Sequence, residues 1–324
     1  MEKHRGLLSP VGKRDRRSDE EPVYGLLKLH MDIMKTELKV ILLVLVLLWP
    51  GFAQAEAKKE YPFWQLVAKS VLIVEGPLDV PVVAIQKSEQ SDNHEYAQVK
   101  VAVSKTLKGK PESQELSFRY YTDTEQYGGV SRKKIIPLNG KSAIVFLQNV
   151  RGKYYLAAYV PETLQSASTT LADRVRKEAG IQEKLIEESD RYANGHVLPK
   201  ETEVQSLVEL MVDKQTDPGT AQAVYEAVIA LGKEAVPTII KYMDDRRKLN
   251  IPKISLRPWW PDAHEGLVHY GPETVIDVLS VALMALTNED LTAIYNGGTE
   301  LERQQAVRIW KVYERRTYGQ PVTR

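Results

Sequence analysis

Three hydrophobic patterns follow one another along the chain. The first is an uninterrupted apolar run, Val40–Trp49, with Lys35 and Lys39 before it and Pro50-Gly51 after it. The second, over about Phe63–Ala167, consists of short apolar runs and alternating stretches. The third, over about Thr169–Arg316, repeats apolar residues at helical spacing.

The middle pattern predicts strands. Val71–Val74 is an apolar run closed by Gly76-Pro77, and Val80–Ile85 makes a second. Val99, Val101 and Val103 fall on one face of Tyr96–Val103, and Leu116, Phe118 and Tyr120 share a face of Leu116–Tyr121. Alternation of this kind marks a strand with one buried side. Ala143–Leu147 and Tyr154–Tyr159 flank Arg151-Gly152 and read as a hairpin. Short strands in such number favour a small barrel or sandwich.

The third pattern predicts helices. Leu171–Tyr192 is charged, weakly amphipathic, stopped by Asn194-Gly195, and reads as a linker. Thr202-Glu-Val-Gln205 and Thr299-Glu-Leu-Glu302 have the form of capping boxes, in which side chains satisfy the first orphan N–H groups of a helix. Asp217-Pro218 opens another helix, with the stripe Ala221, Val224, Tyr225, Val228 and Leu231, and Gly232 stops it. Ala235–Met243 begins the next. Gly271-Pro272 starts a helix carrying Val275, Val278, Leu279, Ala282, Leu283 and Leu286. Leu207, Leu210 and Met211 are expected on one buried side, as are Ala306, Ile309, Trp310 and Tyr313.

Two resemblances rest on these residues. Val99-Lys-Val-Ala-Val-Ser-Lys-Thr-Leu-Lys-Gly109, with Gly140–Leu147 and Tyr154–Leu156, resembles a domain of exported bacterial proteins similar to the OB-like barrel of tissue metalloprotease inhibitors and netrin C-terminal modules. The inhibitory members of that group depend on an N-terminal cysteine and disulfides. This chain has no cysteine, so the resemblance implies the barrel and not protease inhibition. Ala227–Ile240 resembles the inner part of a HEAT-type repeat, where Gly and Pro punctuate two helices. The expected fold is therefore α+β and multidomain, with an N-terminal OB-like β-barrel and a C-terminal all-α HEAT-like domain.

The first run changes where this fold is expected to work. A charged start, a short apolar segment and Ala53-Gln54-Ala55 are the marks of a secretory signal, and the run is shorter than the ~20 apolar residues that span a bilayer. Residues 34–55 are expected to be a signal peptide starting at Met34 and cleaved after Ala55, the alternative being a membrane anchor formed by the uncleaved signal. Residues 1–33 read as a disordered or upstream extension, 56–168 as the barrel, 169–198 as the linker helix, 199–318 as the helical domain and 319–324 as a tail. The expected location is periplasmic or secreted, with membrane contact only in transit.

Composition narrows the chemistry. The formal net charge is +1, with 27% charged and 43% hydrophobic residues, so nothing points to a nucleic-acid partner. Absence of cysteine excludes disulfides, thiolate metal sites and cysteine nucleophiles. No P-loop, nucleophile elbow or EF-hand loop is written in the chain, and no cofactor or catalytic residue is expected. His264-Glu265 with His269 echoes a zinc-peptidase motif, but histidines five apart diverge by about 140° on a helix. Trp259, Trp260, His264 and His269 are the candidate partner surface, with Tyr120, Tyr121 and Tyr127 as a second choice. Arg132-Lys133-Lys134 reads as a solvated loop. The expected function is non-catalytic binding or scaffolding of a protein or envelope component. The alternative is a secreted hydrolase with a site near His264 and His269.

Overall fold

One bent strand closes the barrel. The computed structural model describes residues 61–324 outside 82–84, 88–94, 122–129, 159, 215–216, 251–252, 257–267, 292–293, 295–296 and 320–324. In it, β1 (Leu72–Asp79) pairs with β6 (Ser142–Val150) over Leu72–Pro77 and with β3 (Glu95–Ala102) through Leu78 and Asp79. β3 runs antiparallel to β5 (Glu115–Tyr121), β5 parallel to β7 (Lys153–Leu156), and β7 antiparallel to β6. The circuit β1-β3-β5-β7-β6 is a closed five-stranded barrel. Shorter strands extend it: β2 (Ile85–Lys87) beside β3, β4 (Lys105–Lys108) beside β1, and β8 (Leu164–Ser166) beside β6.

Gly76-Pro77, read as the end of a strand, lies inside β1. A Cβ on Gly76 would stand 1.8 Å from the carbonyl oxygen of Ala102, so only glycine lets β1 come this close to the end of β3. A glycine within a strand commonly marks such a corner. Of the run Val80–Ile85, Val80 lies past the end of β1, its N–H donating to Asn139 Oδ1, and Ile85 lies in β2, with residues 82–84 outside the described residues. The β6–β7 hairpin is as expected. Arg151 and Gly152 have φ of 50° and 78°, the left-handed pair that a two-residue hairpin turn favours.

Leu72, Val74, Val99, Val101, Leu116, Phe118, Tyr120, Val145 and Leu147 fill the barrel. Ile135 joins them from α2 (Arg132–Ile135), and this explains why the basic run forms a helical turn rather than the expected loop. The outer faces of β1 and β6 are covered by α1 (Phe63–Lys69) and α3 (Thr169–Gly195): Ile73, Ile144 and Phe146 meet Leu66, Val67, Ala172 and Val175. β6 is thus buried on both sides, which is why Ala143–Leu147 reads as a continuous apolar run.

The helical part comprises α4 (Glu201–Val212), α5 (Pro218–Ala230), α6 (Val236–Tyr242), α7 (Val275–Thr287) and α8 (Glu300–Tyr318). α7 is buried nearly all round, as its lack of a polar face requires. Asp217 caps α5 through the N–H groups of Gly219 and Thr220, and Thr299 and Glu302 form the expected capping box of α8. α4 departs from expectation. Lys200, at φ 59°, precedes its first residue, and the Glu201 carboxylate accepts the Leu198 N–H, so Thr202 sits within the first turn. Its buried side is Val204, Val208 and Met211, leaving Leu210 43% exposed. α7 begins beyond Gly271-Pro272, where the Asp277 carboxylate reaches back to accept the Thr274 N–H at 3.0 Å.

α3 runs along α8 and also touches α1 and β4, and residues 61–324 form one unit. Among the described residues no helix is long and apolar enough to cross a membrane. Residues 34–55, read as the export signal, lie outside the described residues.

Candidate functional site

Trp259, Trp260 and His264 lie outside the described residues. His269 is in β10 (Val268–Tyr270), opposite Ser255 of β9 (Ile254–Leu256). The hairpin is anchored behind them: the Tyr270 hydroxyl donates to the Asp277 carbonyl, and Arg303 of α8 grips both oxygens of the fully buried Asp277 at 2.9 Å. Asp277 also accepts the N–H groups of Glu273 and Thr274. This network holds the start of α7 against α8. Of the second-choice tyrosines, Tyr120 packs inside the barrel and Tyr127 lies outside the described residues.

A cleft of about 420 Å³ opens elsewhere, among the C-terminal half of α3, α6 and α8. That volume is within the ~300–1,000 Å³ usual for small-ligand sites. α3 contributes Ser189, Asp190 and Ala193, α6 contributes Ile240 and Lys241, and α8 contributes Lys311 and Glu314. Lys311 and Glu314, three apart, share one helix face. Thr238 fastens α6 in place by donating its hydroxyl to the Pro199 carbonyl.

The charges in the cleft are organised into pairs. Lys311 Nζ lies 2.8 Å from Asp190 Oδ1 and 2.8 Å from Asp244 Oδ2. Burial works against its charge, but the hydrogen bonds to the two carboxylates prevail and hold the ammonium above the ordinary lysine range. Lys241 Nζ lies 2.5 Å from Glu201 Oε1. That hydrogen bond, with the Leu198 N–H, keeps the Glu201 carboxyl below its usual range. Glu314 differs. It is 2% exposed, and its carboxylate accepts a hydrogen bond from the Ser189 hydroxyl. Burial pushes its carboxyl up, and Ser189, Arg315 and Lys311 offset this only in part.

Chemically the cleft suits recognition. Lys311 is fixed as a cation and is no base, and the Ser189 hydroxyl is turned toward a carboxylate. Among the described residues no group of three or more His, Asp or Glu is placed to hold a metal. The sequence reading missed this site. Its one visible signal is Lys311 and Glu314 interrupting the apolar stripe of α8, where Trp310 and Val312 are buried.

A second enclosed polar group sits where barrel and helices meet. Lys108, from β4, donates to the Val67 carbonyl of α1 at 2.6 Å. The residue is half-buried, but its ammonium lies deep, next to a gap of about 10 Å³ lined by Gln182, Gln305 and Arg308, room for at most one water. Burial, with Arg308 adding to it, lowers its pKa to about 7 against the pull of Glu183 and Glu178.

Comparison with known protein families, with curated proteins and with solved structures finds no match to this chain.

Proposed function

We propose that the protein is an exported, non-catalytic binding protein that works in the periplasm or cell envelope through protein–protein contacts. The observation that carries this reading is the state of the cleft between α3, α6 and α8. Lys311 and Lys241 are committed to carboxylates, leaving a shaped, charged concavity in which neither lysine is free to act as a base. An OB-like barrel supporting a HEAT-like helical layer suits the same role, because such folds present surfaces built by packed strands and helices. The apolar run before Ala53-Gln54-Ala55 supports the export half of the proposal.

The test is expression of the full chain with a C-terminal tag in a bacterial host, followed by fractionation and N-terminal sequencing. A periplasmic product beginning at Glu56 is expected. Capture from envelope extract is then compared with the charge-reversed Lys311→Glu chain, which is expected to lose the recovered partner. An uncleaved cytosolic chain overturns the export half, and identical capture by both chains overturns the role of the cleft.

A further inference from the structure

We propose that the cleft binds a primary alkylammonium group, seated at Glu314 with its alkyl chain along Ile240, Pro237 and Ala193. This rests on the binding reading above and specifies the chemistry recognised.

Glu314 is the reason. A buried charge is normally paired, and the carboxylates Asp190, Asp244 and Glu201 each have a lysine. Glu314 has only the Ser189 hydroxyl. Lys311 lies between Asp190 and Asp244, and the Arg315 guanidinium carbon lies 5.0 Å from the Tyr192 ring centroid with its Nε buried and unpartnered. Both cations temper the raised Glu314 pKa, and among the described residues neither forms an ion pair with it. Four carboxyl groups (Asp190, Glu201, Asp244, Glu314) face two lysines (Lys241, Lys311) in the lining, an excess of acidic over basic groups inside a concavity. A cation that enters meets a carboxylate already stripped of water.

Two features select an amine over a metal ion. Divalent cations such as calcium take six to eight oxygen ligands, and the Lys311 ammonium already occupies the place between the two aspartates and repels a dication. Beside Ser189, Asn194 and Tyr242, the uncharged lining offers Ile240, Pro237 and Ala193, an apolar strip that suits a short alkyl chain ending in a compact ammonium. The source is either a free diamine or the lysine side chain of a partner protein, which share this chemistry.

The experiment is calorimetric titration of the full chain with 1,5-diaminopentane and with Nα-acetyl-lysine methylamide, against 1-pentanol and calcium chloride as controls. Saturable one-to-one binding of at least one amine is expected, with none of the controls binding. Tighter binding of the lysine derivative identifies a protein side chain as the source, and tighter binding of the diamine identifies a free amine. Glu314→Gln is expected to weaken the amine at least tenfold. Ala193→Phe, which fills the cleft without touching the carboxylate, is expected to do the same. Amine affinity is expected to fall as the solution is acidified and Glu314 takes up a proton, in a cleft that Asp190, Glu201, Asp244, Lys241 and Lys311 also face. Absence of saturable amine binding, unchanged affinity in both variants, or binding of calcium in place of amine overturns the proposal. Failure here is distinct from failure of the binding reading, since partner capture from envelope extract uses no added amine.

Discussion

Replacing Lys108 by Met is expected to stabilise the protein at and below neutral pH, and the gain is expected to disappear in alkali. The ε-amine of Lys108 is enclosed where β4 meets α1, α3 and α8, and its pKa is lowered from 10.5 to about 7 by burial and then by Arg308. The unfolded chain holds that proton up to the ordinary lysine value, while the folded chain releases it near neutrality. Between those values the unfolded state binds more protons, so stability rises with pH across the window. Below about pH 7 the full cost of enclosing the charge is present, and above the unfolded pKa it is gone. At ~1.36 kcal/mol per pKa unit, the drop from 10.5 to about 7 corresponds to about 5 kcal/mol.

Met keeps the long stem and removes the charge, but it also removes the hydrogen bond to the Val67 carbonyl, worth about 1 kcal/mol. Relaxation of the surrounding side chains absorbs more of the difference. A net gain of about 1–3 kcal/mol at about pH 6 is the expectation, turning into a loss of about 1 kcal/mol at about pH 10. Urea denaturation of parent and variant at several pH values measures this through the shift in midpoint at constant slope. Equal destabilisation at both ends of the range would refute the reasoning, since it would mean that the ammonium is solvated or that the hydrogen bond to Val67 dominates.

Three further outcomes follow from the same structure. Asp277→Ala leaves Arg303 enclosed with only Glu273 nearby and is expected to cost about 3–5 kcal/mol, read by chemical denaturation. Gly76→Ala drives a methyl group into the Ala102 carbonyl and is expected to cost about 3 kcal/mol, with amide exchange accelerating first at the β1–β3 seam. The raised pKa of Glu314 favours the folded state below the unfolded carboxyl value, and this contribution is lost as pH rises through the folded one. Glu314→Gln removes that dependence, so its melting temperature relative to the parent is expected to climb as pH rises from about 4 through the folded pKa, and a flat difference would contradict the burial argument.

The parts of the fold that depend on one strand or one helix were readable from the residues. Val99-x-Val101 and Leu116-x-Phe118-x-Tyr120 alternate because each strand has one side in the barrel, and the structure places those side chains there. Asp217-Pro218 and Thr299-x-x-Glu302 cap helices because a cap is a local bargain between a side chain and the next few N–H groups. Thr202-x-x-Gln205 has the same form and does not cap, because Glu201 reaches back to Leu198 and Lys200 adopts the left-handed conformation. Gly76 was misread for a related reason. What decides its role is the carbonyl of Ala102, distant in sequence and pressed against it by barrel closure.

The cleft shows the same limit more sharply. Ser189 and Asp190 belong to a helix whose charged, weakly amphipathic sequence suggests only a link between two domains. Their partners Lys311 and Glu314 lie more than a hundred positions further on, and Asp244 lies beyond a third helix. No spacing rule connects them, because what aligns them is the packing of α3 along α8. The trace left in the sequence is a cost rather than a motif. A lysine and a glutamate stand beside Trp310, Val312 and Tyr313, which bury the same helix, and burying such residues is favourable only when something across the gap neutralises them. Lys311 finds that neutralisation within the chain, in Asp190 and Asp244. Glu314 finds a hydroxyl, and the charge it still lacks is the strongest argument that the cleft is completed by a ligand.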